Sequence, residues 1–337
     1  MNRFAWTGAR TVAEAATTAS TTVADAMLAP GEASIIKGGG IDLLDLMKEG
    51  LLSPRMMVSL STVPGLDVIA EADGGVRVGS MVTLATLANH HDLKTRYPAL
   101  TDAVQASASP QIRNVATIGG NLLQRPRCWY FRLADYHCLR KGGGHCFAMT
   151  GENQYHAIFD NHACAIVHPS TAATTLVALG AKIVLTGADG AERRVLLEDF
   201  FVPPDRDLQR ENDLKPHEIL TAVLLPPVPA TLRMAHLKQG ERESFDWPLA
   251  DVAVALDIGK DDRCTRAAIV LGAAAPTPHR AMLAQAVLTG KHIDEQTAAE
   301  AAHAALDGAT PLSKNAYKVP LFETLVRRAI LKAVGPG

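Results

Sequence analysis

Four of the chain's five cysteines, Cys128, Cys138, Cys146 and Cys164, fall within 37 residues, spaced C-x9-C, C-x7-C and C-x17-C. Met1 to Ala29 carries Arg3, Arg10, Glu14 and Asp25 among alanines and threonines, without the charged start and apolar run of a secretory signal. Disulfides are disfavoured in the reducing compartment this implies, and clustered thiols read as ligands for a metal or cluster. Four thiolates are the complete ligand set of a 4Fe–4S cluster, and Arg125, Arg127, Arg132, Arg140 and Lys141 would offset its anionic charge. A structural zinc on the same thiolates is the main alternative, although zinc sites usually pair cysteines at x2–4. Unligated thiols are the third reading. His137, His145, His156 and His162 crowd the same segment and read as hydrogen-bonded loop residues, since four thiols already complete a cluster. Trp129, Tyr130 and Phe131 read as packing for the loop, and Cys264 as a plain strand or turn thiol.

Two glycine-bearing stretches offer a different chemistry. In Lys37-Gly38-Gly39-Gly40-Ile41-Asp42-Leu43-Leu44, successive glycines between a strand and a helix let backbone N–H groups approach a pyrophosphate, and the helix start adds a favourable dipole. An ordinary tight turn is the competing reading, because the spacing is neither a Walker A loop nor G-x-G-x-x-G. Ala108 to Leu122 holds a polar loop with a hydroxyl, a glycine pair and an amide at Thr117, Gly119, Gly120 and Asn121, all able to donate to phosphate or flavin oxygens. No Ser/His/Asp nucleophile arrangement, zinc-hydrolase motif or separate nicotinamide fingerprint accompanies them.

The elements that would position these residues alternate in type. A helical stretch from Thr11 to Leu28 precedes a strand at Ser34–Ile36, the glycines, and a helix from Ile41 to Lys48. Strands follow at Met56–Leu60 and Gly75–Val82, and helices at Leu84–His91 and Leu100–Ala108. Periodicity fails from Gln124 to Asn161, and so long an irregular loop needs an organiser other than an apolar core. Regularity returns with a helix at Ala172–Leu179 and strands at Lys182–Leu185 and Leu220–Leu225. After a linker at Pro226–Thr231 come strands at Met234–Lys238, Val252–Asp257 and Ala267–Leu271, then helices near Arg280–Leu288, Glu295–Ala305 and Pro320–Ala333. Strands followed by helices predict an α+β domain with helices on one sheet face. The 337 residues are 47% apolar and 20% charged, enough for two or three domains, and the formal charge of −2 weighs against a nucleic-acid partner. No apolar run reaches the roughly 20 residues of a membrane span.

At Ala108 to Leu122 the chain closely resembles the second FAD-binding signature of the molybdopterin dehydrogenase flavoproteins, the FAD subunits of the xanthine dehydrogenase family of molybdenum hydroxylases. Lys37 to Leu44 resembles the first. Val78 to Leu84, Leu214 to Val223, Ala316 to Pro320 and Leu325 to Ala329 resemble further family segments in the same order. The resemblance implies an α+β fold with three parts: an N-terminal FAD-binding subdomain at 1–55, a second at 56–227 with a cysteine-rich insertion at 122–168, and a C-terminal α+β domain at 228–337. It implies FAD held by Ile36, Lys37, Gly38, Gly39, Gly40, Ile41, Asp42, Thr117, Gly119, Gly120 and Asn121, with Ser170, Thr171 and Lys238 near the flavin. A solvated strand lysine is the alternative for Lys238. Thr171 stands where many relatives carry Asp, and Lys37 where a small residue is usual. The cysteine segment is similar to that of cluster-bearing aldehyde oxidoreductase flavin subunits, which implies 4Fe–4S ligation by Cys128, Cys138, Cys146 and Cys164.

The partners so implied are a large subunit with the molybdenum cofactor and a small subunit with 2Fe–2S centres. The organic substrate would be hydroxylated in the large subunit and electrons delivered to FAD here. The expected location is cytoplasmic, or periplasmic if a signal-bearing partner carries the chain out. A zinc-stapled docking subunit without catalysis and a self-sufficient flavin oxidoreductase are the alternatives.

Overall fold

The computed structural model describes residues 2–19 and 21–335. Contacts gather the chain into two compact units, one from Met1–Thr86, Pro110–Phe147 and Ala181–Pro226, the other from Leu87–Ser109, Ala148–Gly180 and Pro227–Gly337.

The first unit contains two sheets. Strands β1 (Ala5–Gly8), β2 (Ser34–Lys37) and β3 (Met56–Ser59) form a parallel sheet in the order β1-β3-β2, with Ile35 opposite Met57 and Ile36 opposite Val58. The helix Ile41–Lys48 buries Leu43, Leu46 and Met47, the i, i+3, i+4 stripe of an amphipathic helix, in a core with Ile35, Leu52 and Met57. Strands β4 (Ile69–Ala72), β5 (Gly75–Gly79), β6 (Lys182–Gly187), β7 (Glu192–Leu196) and β8 (Glu218–Leu225) make an antiparallel sheet ordered β4-β5-β8-β6-β7. The helical stretch expected from Thr11 to Leu28 is two helices, Val12–Thr18 and Val23–Leu28, with Ser20 outside the described residues. The second helix restarts because the Thr22 hydroxyl accepts the Asp25 N–H, and a capping threonine favours a helix start over a helix interior.

In the second unit, β9 (Leu232–Gln239), β10 (Ala250–Ile258), β11 (Cys264–Gly272) and β12 (His279–Arg280) form an antiparallel sheet ordered β12-β11-β10-β9. Val252, Val254, Ile269 and Leu271 share a core with Phe322, Val326, Ala329 and Ile330 of the helix Lys318–Val334 and with the helices Met282–Leu288 and Glu295–Ala304. The expectation of helices on one face is incomplete, because Pro98–Gln105 and Thr171–Ala178 also pack on this sheet. A Cβ on Gly272 would stand 2.2 Å from Thr174 Oγ1, so the second of these helices lies hard against β11. Strands covered on both faces lose polar alternation, which explains the almost unbroken burial of Ala250–Ile258.

Candidate functional site

The glycine turn leaves β2 at Lys37 and enters the helix Ile41–Lys48 through Gly40, whose φ of +86° is left-handed and whose lack of a side chain leaves the helix uncapped. The first-turn N–H groups, at the positive end of the helix dipole, are thereby left for an anion. Thr117 lies against this turn: a Cβ on Gly38 would be 3.0 Å from its hydroxyl oxygen. That hydroxyl accepts the Gly120 N–H at 3.2 Å and caps the helix Ile118–Leu122, while the Gly119 N–H donates to the Ser80 carbonyl at 2.9 Å. The stretches Lys37–Asp42 and Thr117–Asn121, remote in sequence, are thus brought together within the first unit. A Cβ on Gly39 would stand 2.1 Å from the Val115 carbonyl oxygen, so this glycine is required for the approach of one loop to the other.

Ile36 and Lys37 are half-buried and Ile41 is exposed. Lys37 folds over the turn, Nζ donating to the Gly38 carbonyl at 3.1 Å and standing 5.1 Å from the Trp6 ring centroid. Burial lowers its pKa below the ordinary lysine value. The Asp42 carboxylate is committed to Arg127 and Arg132, at 3.0 and 2.6 Å, and to the Arg125 N–H at 2.8 Å.

Ser170, Thr171 and Lys238 belong to the second unit. Ser170 caps the helix Thr171–Ala178 by accepting the Ala173 N–H at 3.0 Å, and Thr171 is buried at its first position. The Lys238 ammonium is a tether between two loops, donating to the carbonyls of Ala106 at 2.8 Å and Asp246 at 2.6 Å, with its pKa lowered by burial against the opposing pull of Asp251 and Asp246.

Of the four clustered cysteines, Cys128, Cys138 and Cys146 lie in the first unit and Cys164 in the second. Cys128 and Cys138 pack on the core formed by Ile35, Leu46 and Met57, and Phe131 is wholly buried in it. Tyr130, Tyr136 and Phe147 form a ring cluster with centroids 5.0 to 5.9 Å apart, so the aromatic residues here pack the segment. The arginines counted as charge compensation for a cluster have carboxylate partners of their own. Arg125 and Arg140 meet on the buried Glu211 at 2.8 and 2.7 Å, and Arg127 reaches Asp45 at 2.7 Å and Arg132 Glu49 at 3.3 Å besides Asp42. Burial pushes the Glu211 carboxyl up, but the two guanidinium groups and their hydrogen bonds outweigh it and hold the pKa below the ordinary range. Lys141 is a cation near two of the thiols: burial lowers its pKa, and Cys138 and Cys128 oppose that. Among the described residues no three His, Cys, Asp or Glu side chains are gathered closely enough to hold a metal ion. His137, His145 and His162 are exposed, His145 lying on the Phe147 ring, whereas His156 is buried in the second unit. Cys264 is a buried thiol at the start of β11, its pKa raised by burial.

Residues 2–228 match the family described as the FAD binding domain in molybdopterin dehydrogenase, and residues 235–333 that of the CO dehydrogenase flavoprotein C-terminal domain. The aldehyde oxidoreductase FAD-binding subunit of Escherichia coli (strain K12) is 33% identical over 337 residues, 99% of each chain. This chain is a molybdenum hydroxylase FAD subunit, of the xanthine dehydrogenase and CO dehydrogenase family. The nicotine 6-hydroxylase medium subunit of Paenarthrobacter nicotinovorans is 28% identical, covering 91% of this chain and 92% of the relative. Among solved structures, quinoline 2-oxidoreductase from Pseudomonas putida 86 superimposes with a TM-score of 0.74 at 26% identity, over 98% of this chain and 97% of the other. CO dehydrogenase from Hydrogenophaga pseudoflava shares the fold with a TM-score of 0.74 at 24% identity, over 99% and 98%.

FAD subunits of this family belong to oxidoreductases. Both glycine-bearing loops lie inside the matched FAD-binding domain, and the uncapped helix start beside the Thr117 hydroxyl is a donor set that suits a pyrophosphate. Among the described residues no helix is long and apolar enough to cross a membrane. Sequence reasoning passed over Glu211, whose only signal is its charge in an irregular stretch. Its arginine partners lie 86 and 71 residues away.

Proposed function

We propose that this chain is the electron-relaying subunit of an aldehyde-oxidising molybdenum hydroxylase, working beside a large molybdenum-cofactor subunit and a small 2Fe–2S subunit and passing electrons to an external acceptor. The observation that carries this is the full-length similarity to an aldehyde oxidoreductase FAD-binding subunit. Residues 1–55 and 56–227 would supply the two parts of the flavin domain and 228–337 the C-terminal domain. FAD, when bound, supplies the interchange of two-electron and one-electron transfer. The chain's own part is to bind and orient: backbone groups of Lys37 to Asp42 and the Thr117 hydroxyl, with Gly119, Gly120 and Asn121, are assigned to holding FAD. Lys37 adds a cation at the same turn. Ser170, Thr171 and Lys238 are assigned to the flavin side.

The finer part of the proposal is a 4Fe–4S cluster on Cys128, Cys138, Cys146 and Cys164. What supports it is a set of four thiols without disulfides, two of them beside Lys141. A second reading, in which these thiols carry no metal, is favoured by the dense protein contacts that already hold residues 125–147. The test is the visible spectrum with flavin, iron, sulfide and zinc analysis of the complex co-purified with its two neighbours. One flavin and about four irons per chain are expected beyond those of the 2Fe–2S subunit. Cys146→Ser should lose these roughly four extra irons and their share of the absorbance, leaving that of the 2Fe–2S subunit, and Cys264→Ser should retain both. Full flavin with no extra iron leaves the flavin subunit standing and removes the cluster; zinc in iron's place selects the stapled alternative. Absence of flavin from the complex overturns the whole reading.

A further inference from the structure

An acidic side chain two positions into a helix that opens on an anion site repels the anion unless its charge is drawn elsewhere. Asp42 is in that position, and its carboxylate is drawn entirely toward residues 125–132. One oxygen meets Arg132 at 2.6 Å and Arg127 at 3.0 Å; the other accepts the Arg125 backbone N–H at 2.8 Å. The Arg132 guanidinium also donates to the carbonyls of Pro126 at 2.7 Å and Arg125 at 3.0 Å, so the chain around Cys128 closes on a group that Asp42 anchors. Asp42 and Arg132 are mostly buried, with side chains 15% and 8% exposed, which strengthens the pairing relative to a surface ion pair.

We propose that Asp42 is a positioning residue that couples occupancy of the phosphate turn to the order of residues 125–132. The proposal rests on the reading of Gly38–Gly40 as the FAD pyrophosphate site. The glycine turn runs directly into the helix whose first turn carries Asp42, so a ligand that fixes this helix start also fixes the carboxylate on which Arg125, Arg127 and Arg132 converge. Linkage makes the effect mutual: loosening residues 125–132 must weaken FAD by the same factor that losing FAD loosens them.

The test is hydrogen exchange of the full chain, stripped of flavin and titrated with FAD, for wild type, Asp42→Asn and Arg132→Gln. In wild type FAD should slow exchange in both 38–44 and 124–132. In Asp42→Asn the slowing should be confined to 38–44, with FAD bound about tenfold more weakly, within the range usual for such couplings. Arg132→Gln should weaken FAD although Arg132 lies outside the turn. If either variant fails to fold, Arg127→Gln, which removes one guanidinium from the same carboxylate, is read in the same way. Equal protection of 124–132 in wild type and Asp42→Asn, or no response of 124–132 to FAD in wild type, overturns the coupling alone. A wild-type chain that takes up no FAD overturns the phosphate-site reading and the coupling with it.

Discussion

Residues 122–147 and 148–168 are consecutive in sequence, yet they belong to different units and are held by different chemistry. The first stretch is fastened by charge: four arginines distribute themselves over Glu211, Asp42, Asp45 and Glu49. The second is fastened mainly by neutral amides. Asn153 bridges the Ala148 carbonyl and the Ser313 hydroxyl, Asn161 takes the carbonyls of Ala157 and Thr310, and Asn315 those of His156 and Ala157. Lys318, wholly buried, donates to the His156 and Ala273 carbonyls. A polar segment without periodicity can be built either way, but the two constructions fail differently. Removing one charge from a buried pair strands its partner, whereas removing an amide loses hydrogen bonds of about 1 kcal/mol each.

The comparison is broken most severely at Glu211. Glu211→Gln keeps the shape but removes the buried carboxylate charge that Arg125 and Arg140 share, and a loss of about 3–5 kcal/mol is expected in chemical denaturation of the full chain. A loss below 1 kcal/mol would show that the guanidinium groups find other partners. On the amide side, Asn315→Ala removes two donations to buried carbonyls and the acceptor for the Leu312 N–H, so a loss of about 2–3 kcal/mol is expected, with faster exchange confined to residues around 153–165.

What of this was legible in sequence follows the range of the interactions. The helix Ile41–Lys48 and the strands β2, β3, β8, β9, β10 and β11 were recoverable because their patterns are local, and the α+β fold class because its segments keep their family order. The two glycine loops were legible as a site only through the family resemblance. Composition could place Arg125 and Arg140 in the cysteine segment but could not pair them with Glu211 across 86 and 71 residues. The assignment of the Lys37–Asp42 backbone to FAD binding says nothing of the Asp42 carboxylate, which serves three arginines of another segment. Nor does any local period reveal that residues 148–180 join the C-terminal sheet rather than the residues just before them.

A third prediction sharpens the contrast through pH. Burial depresses the Lys318 pKa from 10.5 to about 7, and burial together with Lys318 depresses that of His156 from 6.5 to about 4. Both folded values lie below the unfolded ones, so the unfolded chain binds more protons within each window and stability rises with pH, between about 4 and 6.5 for His156 and about 7 and 10.5 for Lys318. The chemistry agrees: a neutral amine has two N–H groups for its two carbonyl acceptors, and an ammonium has a third. Lys318→Met should therefore flatten the rise above pH 7, by up to about 1.4 kcal/mol per pH unit. An unchanged slope from pH 7 to 9 would show that Lys318 stays charged in place.

The smallest expected effect separates charge from burial as the cause of the contrast. Within the second stretch, Glu152 forms an ion pair with Lys314, so a charged fastening exists there too, but the two side chains are 60% and 47% exposed. Water screens such a pair and holding two long side chains together costs entropy, so its contribution is usually below about 1 kcal/mol. If Glu211 matters because it is charged, Glu152→Gln should be costly as well. If it matters because its arginines cannot return to water, Glu152→Gln should change stability by less than about 0.5 kcal/mol. The same full-chain denaturation measures both variants. A Glu152→Gln loss approaching that of Glu211→Gln would mean that the two stretches differ in the number of their charges and not in the solvent that surrounds them.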